Sequence, residues 1–360
     1  MKEIQQIYNL LRAALTGDKP RLGEEQIEAS QWWRLFRLLQ HNLVDAVCCD
    51  AVATAAPPRE VLMPWLAESD KAERWHRYQA EVQQDIVDTM ARNGIDTLVL
   101  KGTRTARHYP VPERRRFGDL DLYFYDRHDE ADRVASGVLK VEVGNDAHHH
   151  SKYNYRGVTV ESNYDFLNVH YPPSNRRYEA LLKKFVTNSS PKLGEVPVRA
   201  EGYAPTFEVL FLLRHMACHF ASSRITLRDL VDWTLTCRAL QGQVDWTLVQ
   251  ETVDGYGMAP FVDALNGVAD MQLGYRPPLQ SHGGPDNMEA VRRLEHDIVY
   301  GGRENNDGGR DGMARLRWKL RRWKATAWKR QMVFSDSKTS LFLASLTSHA
   351  EKPQSILHKM

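Results

Sequence analysis

The sequence predicts an α+β chain, a small mixed sheet flanked by N- and C-terminal helical regions. Three observations predict it. Apolar residues recur at helical spacing from the N-terminus to about residue 92. Between 93 and 170 the pattern switches to short, β-branched runs, several alternating with period two. From about Thr206 the helical spacing returns. The implied organisation is a helical region over 1–92, an α/β core over 93–190 and a helical region over 200–360. A mobile loop is expected near 276–312, where "RPPLQSHGGPD" and "GGRENNDGGRDG" are rich in glycine and poor in apolar residues.

Each element has a local reason. Ile4, Ile7, Leu10 and Leu11 form one helical stripe, and Trp32, Leu35, Leu38 and Leu39 another. "ATAAPPRE" breaks the pattern near residue 55, and a long amphipathic helix follows from about Pro64 to Arg92. Gly94 in "NGID" marks its C-terminal end. "IDTLVLKG", "DLDLYFY", "GVLKVEV" and "GVTVESNYDF" read as strands, with a helix at "RHDEADRVASGVL". Further helices are expected at "FEVLFLLRHMACHF", "LRDLVDWTLTCRALQ", "WTLVQETVDGYG", "FVDALNGVADM" and the basic "ARLRWKLRRWKATAWKRQ".

Bulk properties narrow the function. A net charge of +2 over 360 residues gives the whole molecule no electrostatic case for nucleic acid. Cys48, Cys49, Cys218 and Cys237 form no CxxC pair and read as reduced thiols. "MKEIQQIYNLLRAAL" lacks the apolar core of a signal peptide, and no window approaches a membrane span. A cytoplasmic protein with no membrane partner is expected.

The chemistry concentrates in "RRRFGDLDLYFYD". On a strand, Asp119 and Asp121 share one face while Leu120, Leu122 and Phe124 share the other. Two carboxylates so close repel unless a cation lies between them. Oxygen ligands of this kind suit Mg²⁺ or Mn²⁺ and phosphoryl chemistry. In "VTVESN", Val158 and Val160 facing the core would put Glu161 on the aspartates' side, with Asp165 of the same parity further along. DxD by itself also fits a solvated edge strand. Context strengthens the metal reading. Gly102 ends a strand where backbone N–H groups can approach phosphate, and Gly118 precedes Asp119. Arg104, Arg107, Arg114, Arg115 and Arg116 crowd the approach and match phosphate geometry.

"GIDTLVLKGTRTARHYPVPERRRFGDLDLYF" resembles the core of the polymerase-beta-type nucleotidyltransferase superfamily, and within it a bacterial branch of largely uncharacterised nucleotidyltransferases. The features carrying the resemblance are Leu100-Lys101-Gly102, Arg116, Gly118-Asp119-Leu120-Asp121 and Glu161. "MARNGID" and "LLRHMACHF…LRDLVDW" extend it over about 30–240. The resemblance implies a nucleotidyltransferase sheet in which Asp119, Asp121 and Glu161 hold two divalent metals. Glu161 would also help to deprotonate a hydroxyl, and Gly102 and Thr103 would cradle the triphosphate. Lys101, Arg104, Arg116 and Gly118 would complete the nucleotide site, in a cleft between the sheet and the C-terminal helices. The reaction implied moves a nucleoside monophosphate from an NTP to a hydroxyl acceptor on a small molecule, a protein or a tRNA end. The wider superfamily usually has Gly-Ser at the first loop, where this chain has Gly102-Thr103. The branch tends to place a histidine two residues after the glutamate, where this chain has Asn163.

Other candidates carry two readings each. His215 and His219 share a helix face, as structural or substrate-lining groups; HxxxH without further ligands is no zinc site. Arg228, Asp229 and Asp232 form either a surface ion pair or an inward Asp232 that contacts substrate or holds an arginine. His148 to His150 fit a polar hairpin tip or strand edge, or a face that meets substrate. Arg315–Arg330 is either a helix docked by its apolar stripe of Leu316, Leu320, Trp323 and Ala327, or a surface for RNA. That second reading supports a rival function, a non-catalytic nucleotide- or RNA-binding module. The transferase partner of a toxin–antitoxin pair is a further alternative.

Overall fold

The computed structural model describes residues 2–23, 27–144, 149–187, 204–282, 287–302, 317 and 321–351. In chain order its helices are α1 (Lys2–Thr16), α2 (Ala29–His41), α3 (Cys49–Ala55), α4 (Arg59–Arg92), α5 (Thr103–Ala106), α6 (His128–Val134), α7 (Asn175–Thr187), α8 (Pro205–Ser222), α9 (Leu227–Leu240), α10 (Trp246–Gly255), α11 (Ala259–Leu273), α12 (Asn287–Tyr300), α13 (Ala327–Val333) and α14 (Lys338–Glu351). The strands are β1 (Leu98–Val99), β2 (Asp119–Tyr123), β3 (His150–Tyr155) and β4 (Val158–Asn163). The fold is α+β, one small mixed sheet amid helices. Among the described residues no helix is long and apolar enough to cross a membrane.

The chain divides into two compact units, each drawn from separated segments. Met1–Asp70 and Leu212–Ser335 form the first, Lys71–Phe211 and Asp336–Met360 the second.

The first unit is helical because its apolar stripes bury one another. Ile7, Leu10 and Leu11 of α1 and Leu35, Leu38 and Leu39 of α2 are buried, and α1 packs on α3 and α11. Two of its fully buried indoles, Trp65 and Trp233, are hydrogen-bonded, as burial of an indole N–H favours. Trp65 donates to the Asp45 carbonyl at 2.9 Å, and Trp233 donates to Asn266 Oδ1 at 2.9 Å. Cys48, Cys49 and Cys237 are buried thiols in this unit, and Cys218 is half-buried.

The second unit holds the sheet, in the order β1-β2-β4-β3. β1 runs antiparallel to β2, β2 parallel to β4, and β4 antiparallel to β3. One sheet face, Leu120, Leu122, Val158, Val160 and Tyr153, is buried in a cluster with Val82, Ile86 and Met90 of α4 and Ala131 of α6. The spacing of four along α4 lines those three side chains up on one stripe. The β3–β4 hairpin turns through Arg156 and Gly157, both at positive φ, as a two-residue hairpin that follows the sheet twist requires.

Three sequence expectations change here. α4 begins at Arg59 rather than near Pro64; the proline lies in its second turn, where it removes one intrahelical donor. "GVLKVEV" is not a strand. Residues 135–139 form a π-helical turn continuing α6, and Lys140 closes it in the left-handed region. Among the described residues, pairing beyond it is a bridge between Gly144 and Lys152. The span 276–312 is not loop throughout, because α12 lies within it, burying Val291, Leu294, Ile298 and Val299 at helical spacing. Residues 283–286 and 303–312 of that span lie outside the described residues.

Candidate active site

The sheet face opposite the apolar cluster carries the carboxylates. Parallel pairing sets Asp119 beside Thr159, Asp121 beside Glu161 and Tyr123 beside Asn163. Because side chains alternate along each strand, the apolar partners Leu120 and Val160 face the core, and Asp119, Asp121 and Glu161 all face the other way. β3 extends the row, with Lys152 opposite Glu161 and His150 opposite Asn163. Asp121 is buried, while Asp119 and Glu161 are partly exposed.

Asp121 is electrostatically perturbed. Burial pushes its carboxyl above the usual range, the Lys101 ammonium pulls it down, and the charges of Asp119 and Glu161 push it up again. Lys101 Nζ lies 3.0 Å from Asp121 Oδ2. Glu161 Oε1 lies 3.0 Å from Lys152 Nζ and 3.6 Å from His150 Nε2. Asn163 donates to the carbonyls of Leu122 and Glu161, at 3.4 and 3.2 Å. Asp165 lies beyond the end of β4 and pairs with Lys183 at 3.0 Å.

The loop after β1 is built on Gly102. Its φ of +64° lies in the left-handed region, and a Cβ there would meet the Phe117 ring at 3.3 Å. The backbone conformation favours glycine, and a Cβ would crowd the Phe117 ring. Buried Arg115 donates to the Gly102 carbonyl at 3.2 Å, and His76 bonds the Arg115 carbonyl at 3.0 Å. Thr103 Oγ1 donates to Gln83 of α4 at 2.9 Å. Gln79 of α4 donates to the carbonyl of Gly118 at 3.3 Å, fixing the entry to β2.

The arginines divide by what they touch. Arg104, buried, lies 3.2 Å from Glu208, and Arg107 lies 2.7 Å from the same carboxylate oxygen. His108 bonds the other Glu208 oxygen at 3.0 Å. Burial alone would raise the Glu208 carboxyl, but His108, Arg104 and Arg107 outweigh it and hold it below the ordinary range. Arg114 pairs with Glu73 at 2.8 Å, and Arg116 is partly exposed just before Gly118. Glu208 escaped the sequence reading, although a lone carboxylate inside "FEVLFLL" was its signal. Lys152 and strand β3 also escaped it, because "HHHSKYNY" offers few apolar residues at its inward positions. Glu179, buried and accepting from the N–H groups of Phe166 and Leu167 at 3.0 Å each, had no local signal.

Of the remaining candidates, His149 packs edge-on against His150 in the second unit, and the others lie in the first unit or outside the described residues. The rings of His215 and His219 lie tilted against each other, with centres 4.4 Å apart. Asp229 closes a capping box with Thr226 at the start of α9, and Asp232 is buried with Arg228 4.0 Å away. His148 lies outside the described residues, as do Arg315, Leu316 and Leu320. Lys329 and Arg330 are buried. Lys329 binds Asp297 at 2.6 Å, and the Arg330 guanidinium lies 4.3 Å from the Trp323 ring centre.

Residues 28–271 match the model of a protein family described as an uncharacterised nucleotidyltransferase, about two thirds of the chain. The chain belongs to that family. Both aspartates, Glu161 and the Gly102 loop fall inside the matched span of this nucleotidyltransferase. No curated protein and no solved structure matches the chain.

The donor set on this face suits a divalent metal. Three carboxylates on one sheet face supply hard oxygen ligands, and mutual repulsion at buried Asp121 is what a cation would relieve. As the side chains stand, no three His, Cys, Asp or Glu among the described residues lie close enough together to hold an ion. Lys101 and Lys152 pair with two of the carboxylates.

Proposed function

We propose that the chain moves a nucleoside monophosphate from an NTP to a hydroxyl acceptor, with Asp119, Asp121 and Glu161 holding Mg²⁺ or Mn²⁺. The observation that carries the reading is the parallel register that sets Asp121 beside Glu161 on a common face. Bound there, a divalent cation would supply charge neutralisation and alignment of phosphate oxygens.

The chain's own residues do the rest. Gly102 presents its backbone without a side chain at the end of β1, suited to close approach by a triphosphate tail. Lys101 and Arg116, beside this loop and before β2, supply positive charge for the phosphates. Glu161 takes the proton of the acceptor hydroxyl. The acceptor oxygen then bonds to the α-phosphorus as its bond to the bridging oxygen breaks, and pyrophosphate leaves with that electron pair. Arg104 belongs to the Glu208 cluster and supports the loop from there.

The test is pyrophosphate release with each NTP, Mg²⁺ or Mn²⁺, and acceptors drawn from small molecules, proteins and tRNA ends. Wild type should release pyrophosphate with at least one pair, and the Asp119→Ala, Asp121→Ala double variant should not. Identical behaviour of the two overturns the reading.

A further inference from the structure

Across the sheet, four charged side chains stand in one line. Lys101 follows β1, Asp121 lies on β2, Glu161 on β4 and Lys152 on β3, so two cations bracket two anions. Both contacts are 3.0 Å, Lys101 on Asp121 and Lys152 on Glu161. These are the carboxylates that the nucleotidyl-transfer reading assigns to a divalent metal, and the inference rests on that reading.

We infer that Lys101 and Lys152 are resident counter-ions, each holding one carboxylate of the metal-free protein and withdrawing when a divalent cation binds. Adjacent carboxylates on neighbouring strands repel, and an unpaired charge at buried Asp121 is costly. A site that waits for a soluble cation needs an internal one in the meantime. An ammonium serves because it is monovalent, donates only, and sits on a four-carbon stem that swings without backbone movement. The same oxygen lone pairs cannot serve an ammonium and a closely bound divalent ion together, so the two compete.

The two lysines differ in what withdrawal involves. The Lys152 side chain is 52% exposed on the outer strand and swings into water. Lys101, 20% exposed, adjoins the Gly102 loop, so its displaced ammonium turns toward the position of the phosphates. Removing either lysine therefore relieves competition and tightens metal binding, the opposite of what loss of a supporting residue does.

The experiment is a Mn²⁺ titration of the full chain, followed by electron paramagnetic resonance at pH 8 and fixed ionic strength, without nucleotide. Wild type is compared with Lys152→Met, Lys101→Met and an Asp119→Asn, Asp121→Asn double variant, each checked for a cooperative melt. Lys152→Met should bind Mn²⁺ about threefold more tightly, in keeping with a partly exposed ion pair. Lys101→Met should bind about tenfold more tightly, and the double aspartate variant at least tenfold more weakly. Should Lys101→Met fail to fold, the exposed Lys152 position decides. Equal or weaker binding by the lysine variants, with the aspartate variant impaired, overturns the counter-ion role and leaves the metal site standing. An aspartate variant that binds like wild type overturns the metal site itself.

Discussion

Asp121 and Glu161 are register partners in a parallel strand pair, and their side chains leave the sheet on the same face. Sequence places them 40 residues apart; the sheet makes them neighbours. Replacing Asp121 by Asn keeps the shape and removes the charge. Nucleotide-dependent pyrophosphate release should fall at least about 10³-fold, because the loss falls on charge that acts in the transition state. The melting temperature of the same variant should change little, since relief from repulsion offsets the lost Lys101 pair. Activity within a factor of ten of wild type would contradict this role.

Gly102→Ala tests the loop. A Cβ at φ +64° costs about 1–2 kcal/mol, and contact with the Phe117 ring at 3.3 Å adds to it. The expected outcome is a modest loss of stability with a larger loss of NTP affinity, read by denaturant melts beside nucleotide titration. A variant with unchanged affinity would show that the loop backbone takes no part in binding.

Glu208 anchors the helix that follows this loop through three donors. Glu208→Ala removes the carboxylate that buried Arg104 pairs with and should destabilise the protein by about 3–5 kcal/mol. Chemical denaturation measures it. A cost below about 1 kcal/mol would mean that the cluster is solvated in solution.

Glu179 predicts a pH dependence. Burial, the largest cause, raises its carboxyl to about 7 from 4.5, against the opposing pull of the Phe166 and Leu167 N–H groups and Lys183. The folded state then holds a proton between about pH 4.5 and 7 that the unfolded chain has lost. Stability from this group should decline as pH rises through that window, by about 3 kcal/mol at most. Glu179→Gln should flatten that part of the stability profile, as measured by urea midpoints at several pH values. An unchanged slope would assign the dependence elsewhere.

The parts of the site legible in sequence are those fixed by short-range alternation. Val158 and Val160 as core residues put Glu161 outward before any partner was known, and Leu120 with Leu122 did the same for the aspartates. Gly102 was legible as a strand-ending glycine. What stayed hidden depends on long-range pairing. Nothing local says that Lys152 faces Glu161, or that Arg104 and Arg107 turn to a carboxylate a hundred residues on. β3 hid because only Ser151 and Tyr153 of its six residues are buried, too few to mark a strand. α12 hid between two glycine-rich stretches that dominate the composition around it.

The decisive measurement is anomalous scattering from a crystal of the protein soaked with Mn²⁺ and a non-hydrolysable NTP. A manganese peak bound by oxygens of Asp119, Asp121 and Glu161, with the triphosphate against the Gly102 loop, is the expected result. Manganese or triphosphate bound elsewhere, with Asp121 and Glu161 still paired to Lys101 and Lys152, would contradict it.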